Sequence, residues 1–270
     1  MTKIISCVNL KGGVGKTTLA VNFAAYCGGE NLKTLLIDLD PQTNATFSCL
    51  TIDEWKTHAK THGSVADLLG ARNHTSAEGT KKEAKSVIKK DVFPNVDLIP
   101  SHLDLFTVDL DLAGVAGRER RLKKAIKPIQ DQYDIIVCDC PPNLTIPTQN
   151  SLAVSTHYVV PISPDYLSTI GVGILLSRIK TLSEDLDNEP EHAGIVISRV
   201  GRYAIHREET VAAMRQIFKK DVLSTVIHDR VAVSEATAKQ KSVFDWTNEQ
   251  AKDEFRSASK EILKRIGITK

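Results

Sequence analysis

The chain has 270 residues, of which 41% are hydrophobic and 25% charged, a composition typical of soluble globular proteins. No apolar run approaches the roughly 20 residues that a membrane-spanning helix requires, and the first residues lack the pattern of a signal peptide. The five cysteines form no C-x-x-C pair, which argues against zinc or iron–sulfur sites and favours reduced thiols in a cytoplasmic protein.

A strand, a glycine-rich turn and a helix follow one another at the N-terminus. The apolar run Ile4–Val8 predicts a strand, and the spacing over Lys16–Cys27 predicts a helix. Between them lies Lys11-Gly-Gly-Val-Gly-Lys-Thr-Thr18, a loop of the phosphate-binding type. Its unpaired N–H groups and the helix dipole favour an anion. The predicted nucleotide-binding residues are Lys11, Gly12, Gly13, Val14, Gly15, Lys16, Thr17 and Thr18.

The two lysines of this loop have different expected roles. Lys16 is placed to reach the β- and γ-phosphates, while the Thr17 hydroxyl would ligate Mg²⁺. The strict loop pattern has a glycine five residues before Gly15, but that position is Leu10, and Lys11 is an extra cation. One loop cannot easily bring two ammonium groups to its own nucleotide. We infer that Lys11 reaches the nucleotide of a second subunit, so that the active unit is a homodimer. The alternative is a glycine-rich turn that binds nothing.

Two further strands end in aspartates. The run Thr34–Asp38 predicts a buried strand, and Asp38 and Asp40 follow on one side of the chain, where open α/β sheets place their ligands. A carboxylate beside the γ-phosphate can orient the attacking water. The run Tyr133–Asp139 has the form of a Walker B strand, in which Asp139 holds the Mg²⁺ shell. The predicted metal-site residues are therefore Thr17, Asp38 and Asp139, the aspartates acting directly or through water. A polar strand end that caps the next helix is the alternative for the first pair.

The stretch Thr51–Val92 is the least regular part of the sequence. It predicts only one short helix, Val65–Leu69. His58 and His62 are spaced to bind a metal on a helix, but no cluster of carboxylates or cysteines accompanies them, and a solvated loop is preferred. We treat 51–92 as an irregular insertion.

In the rest of the chain, apolar β-branched runs alternate with helical patterns. This alternation predicts one P-loop NTPase-like α/β domain over residues 1–270, with a mostly parallel twisted sheet and helices on both faces. The other predicted strands are Val96–Pro100, His157–Pro161, Gly194–Ser198 and Leu223–Ile227. The other predicted helices are Glu119–Ile129, Pro147–Val154, Leu167–Leu182, Arg207–Phe218 and Asn248–Ile266.

The three nucleotide motifs together resemble the ParA/MinD family of deviant Walker ATPases, and most of all its ParA-type partition proteins. The resemblance implies ATP and Mg²⁺ as ligands, ATP-dependent sandwich dimerisation with Lys11 acting in trans, non-specific DNA binding, and slow hydrolysis stimulated by a ParB-like adaptor. It also implies that Lys11, Lys16 and Asp40 are catalytic, Asp40 being needed for hydrolysis but not for dimer formation. The matching segments are Lys11–Thr18, Asp38–Thr46, Asp134–Pro142, Ile99–Ser101, Gly117–Glu119 and Val233–Ala236.

The C-terminal part of the chain is basic. Residues 196–270 hold 15 Lys and Arg against 10 Asp and Glu, whereas the remainder holds 20 against 23. Charge alone is equally compatible with ordinary solvated surface. With the resemblance, we expect sequence-independent binding to double-stranded DNA through phosphate contacts, and association with the nucleoid. The candidate contacts are Arg199, Arg202, Arg207, Lys219, Lys220, Arg230, Lys239 and Lys241. Near them the family pattern is altered, because His228, Asp229 and Ala232 replace a proline and two arginines.

The main alternative is a MinD-like membrane-cycling ATPase that positions cell-division or other machinery. It would need a C-terminal amphipathic helix. Apolar residues over Phe255–Ile266 do have helical spacing, but the stripe is narrow and packing on the sheet explains it more simply, so no stable membrane association is expected. A metabolic amidoligase would need an acceptor site that the sequence does not reveal. A reductase of the nitrogenase iron protein type would need cluster cysteines that are absent.

Overall fold

A computed structural model of the chain describes residues 1–71, 82–165, 168–201 and 205–269. Within them an eight-stranded sheet forms, and its only antiparallel neighbours are the third and fourth strands. The strands are β1 (Lys3–Cys7), β2 (Thr34–Asp38), β3 (Lys89–Phe93), β4 (Val96–Ile99), β5 (Ile135–Asp139), β6 (His157–Ile162), β7 (Glu191–Val200) and β8 (Val222–His228). Their order across the sheet is β3-β4-β2-β5-β1-β6-β7-β8. This arrangement confirms the predicted fold class.

Helices cover both faces of the sheet. They are α1 (Lys16–Gly29), α2 (Asn44–Phe47), α3 (Ile52–Thr61), α4 (Val65–Leu69), α5 (Ala84–Val87), α6 (Val108–Asp111), α7 (Arg121–Ile126), α8 (Ile146–Val154), α9 (Ser168–Leu186), α10 (Ile205–Phe218), α11 (Val231–Ala238) and α12 (Glu249–Arg265). A 3-10 helix, Leu103–Phe106, precedes α6.

The alternation of side chains along each strand divides the core into two layers. In β2, Leu35 and Ile37 join the hydrophobic cluster on one face of the sheet, whereas Leu36 joins the cluster on the other. All three are fully buried. A strand with apolar residues at every position must be covered on both sides, which is why the continuous apolar runs of the sequence predict a parallel sheet between helices.

The stretch predicted as an irregular insertion is more ordered than its polar composition indicates. The structure confirms the helix Val65–Leu69 and adds α3, α5 and the edge strand β3 to the described part of 51–92. Helix α3 begins with a capping box, in which the Thr51 side chain accepts from the Glu54 N–H and the Glu54 carboxylate accepts from the Thr51 N–H. These two bonds satisfy N–H groups that lack partners within the helix.

The two histidines considered as metal ligands have a structural role. His58 is buried, its Nε2 lies 3.0 Å from the Val87 carbonyl oxygen, and its ring stacks on that of His62. Burial lowers the pKa of His58, which keeps the ring neutral. Among the described residues no group of three or more His, Cys, Asp or Glu side chains is arranged to hold a metal ion.

One predicted helix differs from the observed one, and another observed helix was not predicted. The segment predicted as Glu119–Ile129 contains a 3-10 turn, Arg118–Arg120, followed by the shorter α7. Pro128 follows α7 closely and cannot donate the N–H that would prolong it. Helix α11 was not predicted from the sequence.

The C-terminal helix α12 packs on the sheet through its apolar stripe. Phe255 and Ile262 are at most 1% exposed, and Leu263 is 5% exposed. The stripe considered for membrane contact is therefore part of the core. In the described ranges, no helix is long and apolar enough to cross a bilayer.

Candidate nucleotide-binding site

The phosphate loop lies at the carboxyl end of β1 and runs into the N-terminus of α1. Gly15 has φ +84°, and a Cβ at this position would lie 3.2 Å from the Ser198 hydroxyl. That hydroxyl donates to the carbonyl oxygen of Val14 at 2.5 Å. Glycine is therefore required at position 15 by both its backbone conformation and the close approach of β7. The loop is thereby fixed against the sheet with the start of α1 directed at the site.

Lys16 places its ammonium group inside the loop. The side chain is buried, and its Nζ donates to the carbonyl oxygen of Lys11 at 3.0 Å. Burial lowers the pKa of Lys16, while the carboxylates of Asp139 and Asp40 act in the opposite direction. A desolvated cation surrounded by backbone N–H groups is suited to bind a phosphate, because the missing solvation is restored by the anion.

Asp139 is fully buried at the end of β5, and neither carboxylate oxygen accepts a hydrogen bond of good geometry from the described residues. Burial raises the pKa of Asp139 well above its usual range, repulsion from Asp38 adds to this, and the nearby Thr17 hydroxyl offsets only part of it. A buried carboxylate without partners is costly unless a cation or its bound water is present. The residues fit Mg²⁺, which binds few carboxylates and retains several waters.

Asp38 has a different environment, although it is paired in register with Asp139 across β2 and β5. Its Oδ2 accepts from the N–H and the hydroxyl of Thr46 at 2.8 and 2.7 Å, and its Oδ1 accepts from the Asp40 N–H at 3.1 Å. Burial raises the pKa of Asp38 to about 7, and the Thr46 bonds oppose this. These contacts shape the loop that follows β2. Asp139 is thus better placed than Asp38 for the predicted metal site.

Asp40 lines the cavity beside the loop. It is 5% exposed, and its Oδ1 accepts from the Gln42 N–H at 2.9 Å. Its carbonyl oxygen accepts from the Ser101 hydroxyl at 2.7 Å, and the Ser101 N–H donates to the Thr46 hydroxyl oxygen at 2.9 Å. The position of Asp40 is therefore coupled to the segment after β4.

The cavity itself has a volume of about 710 Å³, which is within the range of nucleotide and other ligand pockets. Phosphate-loop residues form one wall and α11 another. The lining residues are Gly12, Gly13, Gly15, Lys16, Thr17, Thr18, Asp40, Gln42, Asn44, Phe47, Ser48, Leu50, Ile52, Pro142, Arg199, Val233, Ser234, Thr237, Ala238 and Gln240.

Lys11, the second lysine of the loop, is not among the residues that line this cavity. Its Nζ lies 2.6 Å from Oδ2 of Asp165, a residue that follows β6, and the side chains are 53% and 35% exposed. The Lys11 N–H donates to Oδ1 of Asn9, whose amide donates to the carbonyl oxygen of Pro161. The base of the Lys11 side chain is thus held against β6, while its ammonium is at the rim.

Arg199, predicted as a DNA contact, lies at the nucleotide cavity. Its Nη1 donates to the carbonyl oxygen of Gly13 at 2.9 Å, and its Nη2 lies 3.8 Å from Oδ2 of Asp229. The positive φ of Arg199, +54°, turns the end of β7 toward the loop. Sequence reasoning grouped it with DNA contacts because charge in a basic segment does not indicate which way a side chain points.

The other basic candidates that the structure describes lie in different elements. Arg230 is paired with Glu254, with Nη2 and Oε1 2.6 Å apart, so its charge is largely neutralised. Lys219 and Lys220 are exposed in the turn before β8, whereas Lys239 and Lys241 are exposed after α11. Arg202 lies outside the described residues, and for Arg207 only the backbone, in α10, is described.

Some residues of the site were not predicted. Asp165 and Ser198 follow or end strands at the edge that carries the phosphate loop, so the rule that ligand sites lie at the carboxyl ends of strands could have identified them. Val233 and Ser234 of the cavity lie in the segment Val233–Ala236 that carries the resemblance, whereas Gln240 carries no such signal.

Comparison with known proteins identifies relatives of this site. A family model described as an AAA domain matches residues 2–191. The chromosome-partitioning ATPase Soj of Treponema pallidum is 31% identical over 268 residues, which cover 99% of both chains. The cell division protein PomZ of Myxococcus xanthus is 33% identical over 237 residues, which cover 88% of this chain and 70% of that protein.

A solved structure of cobyrinic acid a,c-diamide synthase from Mycobacterium smegmatis, with a bound ATP analogue and magnesium, is also similar. Its TM-score is 0.73 at 26% sequence identity, and the match covers 89% of this chain and 92% of that one. The ligands in that structure are consistent with a site for ATP and Mg²⁺ in this chain.

Proposed function

Because the chain belongs to the ParA-type P-loop ATPases, we propose that it is a partitioning ATPase that dimerises on ATP, binds DNA without sequence preference and moves a cargo through a ParB-like adaptor. The relatives support the partitioning ATPase itself: Soj matches along the whole chain. The dimer, the DNA and the adaptor are our extension.

The observation that carries the proposal is the separation of the two loop lysines. Lys16 is buried within the loop, in the position that a cation needs to neutralise phosphates of the same subunit. Lys11 lies at the rim with a half-exposed side chain, bonded only to Asp165 among the charged groups described. A lysine at the rim of one cavity is available to a nucleotide bound by a second copy facing it. Dimerisation would then add a second cation, Lys11 of the partner, to the phosphates in each site.

The chemistry follows from the residues around the cavity. Phosphoryl transfer to water depends mainly on positioning and on stabilising charge on the transferred group. Lys16 and the loop N–H groups hold the phosphates, and Lys11 of the partner adds a second cation. Asp40 is positioned at the cavity to orient the attacking water. Mg²⁺, held by Thr17 and Asp139, would neutralise charge on the β- and γ-phosphates.

Dimerisation would also control DNA binding. Two protomers place two sets of basic side chains on one particle, and doubled valency raises affinity without any new contact. Hydrolysis, accelerated by the adaptor, then releases the protein from DNA, so that the bound ATPase forms a gradient along which the adaptor's cargo moves.

The competing functions are less well supported. A MinD-like membrane cycle would require an exposed amphipathic helix, but the apolar stripe of α12 is buried in the core. The similar diamide synthase also binds an ATP analogue, yet Soj is more similar to this chain in sequence and covers more of it.

A mobility shift of a duplex DNA fragment, with ATP, ADP or no nucleotide and Mg²⁺ throughout, tests the proposal. We expect a shift with ATP only, because only the triphosphate supports the dimer. Co-sedimentation with anionic liposomes is the matched control. Liposome binding without a DNA shift would favour the membrane cycle. If the protein turns over ATP normally but binds neither DNA nor liposomes, the proposed role on DNA is contradicted.

A further inference from the structure

A second, small cavity adjoins the nucleotide cavity at the ends of β7 and β8. Its volume is about 150 Å³. The residues that it shares with the larger cavity are Gly15, Thr18, Arg199, Val233 and Ser234. Its other lining residues are Leu19, Ser198, Ile227, His228, Asp229 and Phe255. The end of the phosphate loop thus borders both cavities, and one ligand can occupy both.

The position of the small cavity suits the base of a bound nucleotide. The backbone of a phosphate loop cradles the α- and β-phosphates, so the sugar and the base continue beyond the α-phosphate. Strands β1, β6, β7 and β8 are consecutive in the sheet, so the ends of β7 and β8 lie between the loop and the outer edge of the sheet. A nucleotide held by the loop can therefore place its base beside these two strand ends.

The walls of the small cavity are largely apolar. Leu19 and Phe255 are 1% exposed, and Ile227 is 4% exposed. Ligand pockets commonly combine such walls with a few polar groups that fix the orientation of the ligand. Among the described lining residues, Asp229 is the one that carries a carboxylate. It is therefore the strongest hydrogen-bond acceptor that this cavity offers to a base.

Asp229 is held at the rim of the small cavity by its backbone and by Arg199. Its N–H donates to the carbonyl oxygen of Val200 at 2.9 Å, which fixes the residue at the end of β8. Nη2 of Arg199 lies 3.8 Å from Oδ2 of Asp229, and both side chains are half exposed. Nη1 of Arg199 is bonded to the Gly13 carbonyl oxygen. One side chain thus links the phosphate loop to the carboxylate, which has lone pairs for further donors.

The neighbouring polar side chains are bonded elsewhere. Nδ1 of His228 lies 2.8 Å from Oε1 of Glu254, and the His228 N–H donates to Oε2 of the same carboxylate at 3.0 Å. The Ser198 hydroxyl donates to the carbonyl oxygen of Val14. Of the polar side chains at the ends of β7 and β8 that line the small cavity, Asp229 and Arg199 therefore remain to face a base.

We propose that Asp229 recognises adenine by accepting a hydrogen bond from its 6-amino group, an inference that rests on the proposed binding of ATP. The sugar is attached at the ring edge opposite the amino group, so the amino group is directed away from the loop and toward β8. A carboxylate only accepts, so it favours this amino group and opposes the carbonyl oxygen that guanine has at the same position. The family pattern has an arginine here, which cannot accept, so this contact is particular to the present chain.

Calorimetric titration in Mg²⁺ tests the contact with ATP, GTP and purine riboside triphosphate, which is ATP without the 6-amino group. The parent protein would carry Asp40→Ala to prevent turnover. It should bind ATP about 2- to 10-fold more tightly than purine riboside triphosphate, the equivalent of one hydrogen bond. With Asp229→Ala added, the two nucleotides should bind equally. Asp253→Ala, which removes another exposed carboxylate paired with an arginine, is the matched control and should keep the preference.

Asp229→Asn distinguishes loss of the acceptor from loss of the fold. Its amide can accept from an amino group or donate to a carbonyl oxygen, so this variant should keep ATP binding and bind GTP more tightly than the parent does. An unchanged affinity for GTP would count against the contact.

Two outcomes would overturn the inference while leaving the proposed function intact. One is equal affinity of the parent protein for ATP and purine riboside triphosphate. The other is a preference for ATP that persists in the Asp229→Ala variant. If the parent protein does not bind ATP at all, the proposed function fails first and the inference fails with it.

Discussion

Nζ of Lys11 lies 2.6 Å from Oδ2 of Asp165, so the lysine predicted to serve a second subunit is held by its own chain at the rim of the cavity. Asp165 also accepts the Ser163 hydroxyl at 2.8 Å, which fixes the carboxylate. Exposed ion pairs contribute only about 0.2–1 kcal/mol, so a triphosphate on a facing subunit can displace Asp165. The Lys11–Asp165 ion pair would therefore weaken dimerisation slightly without preventing it.

Replacing Asp165 by Asn should therefore strengthen the ATP-dependent dimer. The expected effect on the dissociation constant is a decrease of about 2- to 30-fold, because each dimer breaks two such ion pairs, one in each protomer. Sedimentation of the protein with a non-hydrolysable ATP analogue measures it. Asp253→Asn, which breaks an exposed ion pair with Arg256 on α12, is the control. A weaker dimer in the Asp165 variant would show that the carboxylate is needed in the assembled state.

Lys16→Ala should abolish ATP binding measured by calorimetry. The variant loses the only ammonium group buried in the described part of the loop, and with it charge-assisted bonds to phosphate, so we expect a loss of about 100-fold or more in affinity. Lys220→Ala, an exposed lysine before β8, should bind ATP normally. Micromolar affinity retained in the Lys16 variant would contradict the assignment of the loop.

Asp40→Ala should separate binding from hydrolysis. Without the carboxylate that orients water, turnover should fall by about 10²- to 10⁴-fold, while the phosphate contacts of the loop remain. The variant should stay dimeric and bound to DNA in ATP long after the unaltered protein has dissociated, as followed by a mobility shift over time. Rapid turnover in this variant would remove Asp40 from the catalytic machinery.

The buried aspartates make the stability of the ligand-free protein depend on pH. Burial raises the pKa of Asp38 to about 7 and that of Asp139 well above its usual range, whereas in the unfolded chain both are about 3.9. The folded state thus holds protons that the unfolded state loses, and stability decreases as the pH rises from about 4 to above 7. Mg²⁺ with ATP, which favours the ionised form of Asp139, should stabilise the protein more at pH 8 than at pH 6.

Asp139→Asn tests this directly, because the amide cannot ionise. In thermal unfolding without ligand, the Tm of the variant should be higher than that of the unaltered protein. This difference in Tm should increase between pH 5 and pH 8. At this chain length, a Tm difference of about 2–4 °C corresponds to about 1 kcal/mol of unfolding free energy. Parallel Tm curves for the two proteins over this range would show that Asp139 carries no proton in the fold.

DNA binding should depend on salt and on one of the two exposed lysine pairs. Gln240, between Lys239 and Lys241, lines the nucleotide cavity, so this pair is next to the site that controls dimerisation, whereas Lys219 and Lys220 precede β8. We expect Lys239→Ala with Lys241→Ala to reduce the slope of log affinity against log salt by about 2 per protomer. The other pair should change it less. A salt-independent affinity would exclude phosphate-dominated binding.

The sequence was informative where function depends on contiguous residues. The phosphate loop, Asp40 and Asp139 each follow an apolar strand, so local patterns predict both the element and the edge of the sheet at which it ends. Asp165 and Arg199 contact the loop across 154 and 186 residues of sequence, so although a strand end can mark such a residue, the sequence does not indicate its partner. The basic segment together with the resemblance predicted Arg199 as a DNA contact, and the packing of β7 on the loop places its guanidinium at the cavity.

Helix α3 and strand β3 illustrate two further limits. The Thr51–Glu54 capping box was present in the sequence, but the polar composition around it concealed the helix. Strand β3 is five residues long and begins with two lysines, as edge strands often do because charge prevents pairing with other chains. Such a strand lacks the apolar alternation by which interior strands are predicted.

The central claim, that Lys11 acts on the partner's nucleotide, is tested most directly by mixing two inactive variants, Lys11→Ala and Asp40→Ala. In a mixed dimer, the site that retains Asp40 receives Lys11 from the other subunit, so an equal mixture should recover roughly a quarter of the normal ATP turnover if subunits exchange freely. If Lys11 serves its own subunit, every site lacks one of the two groups. A mixture no more active than its components would contradict the account.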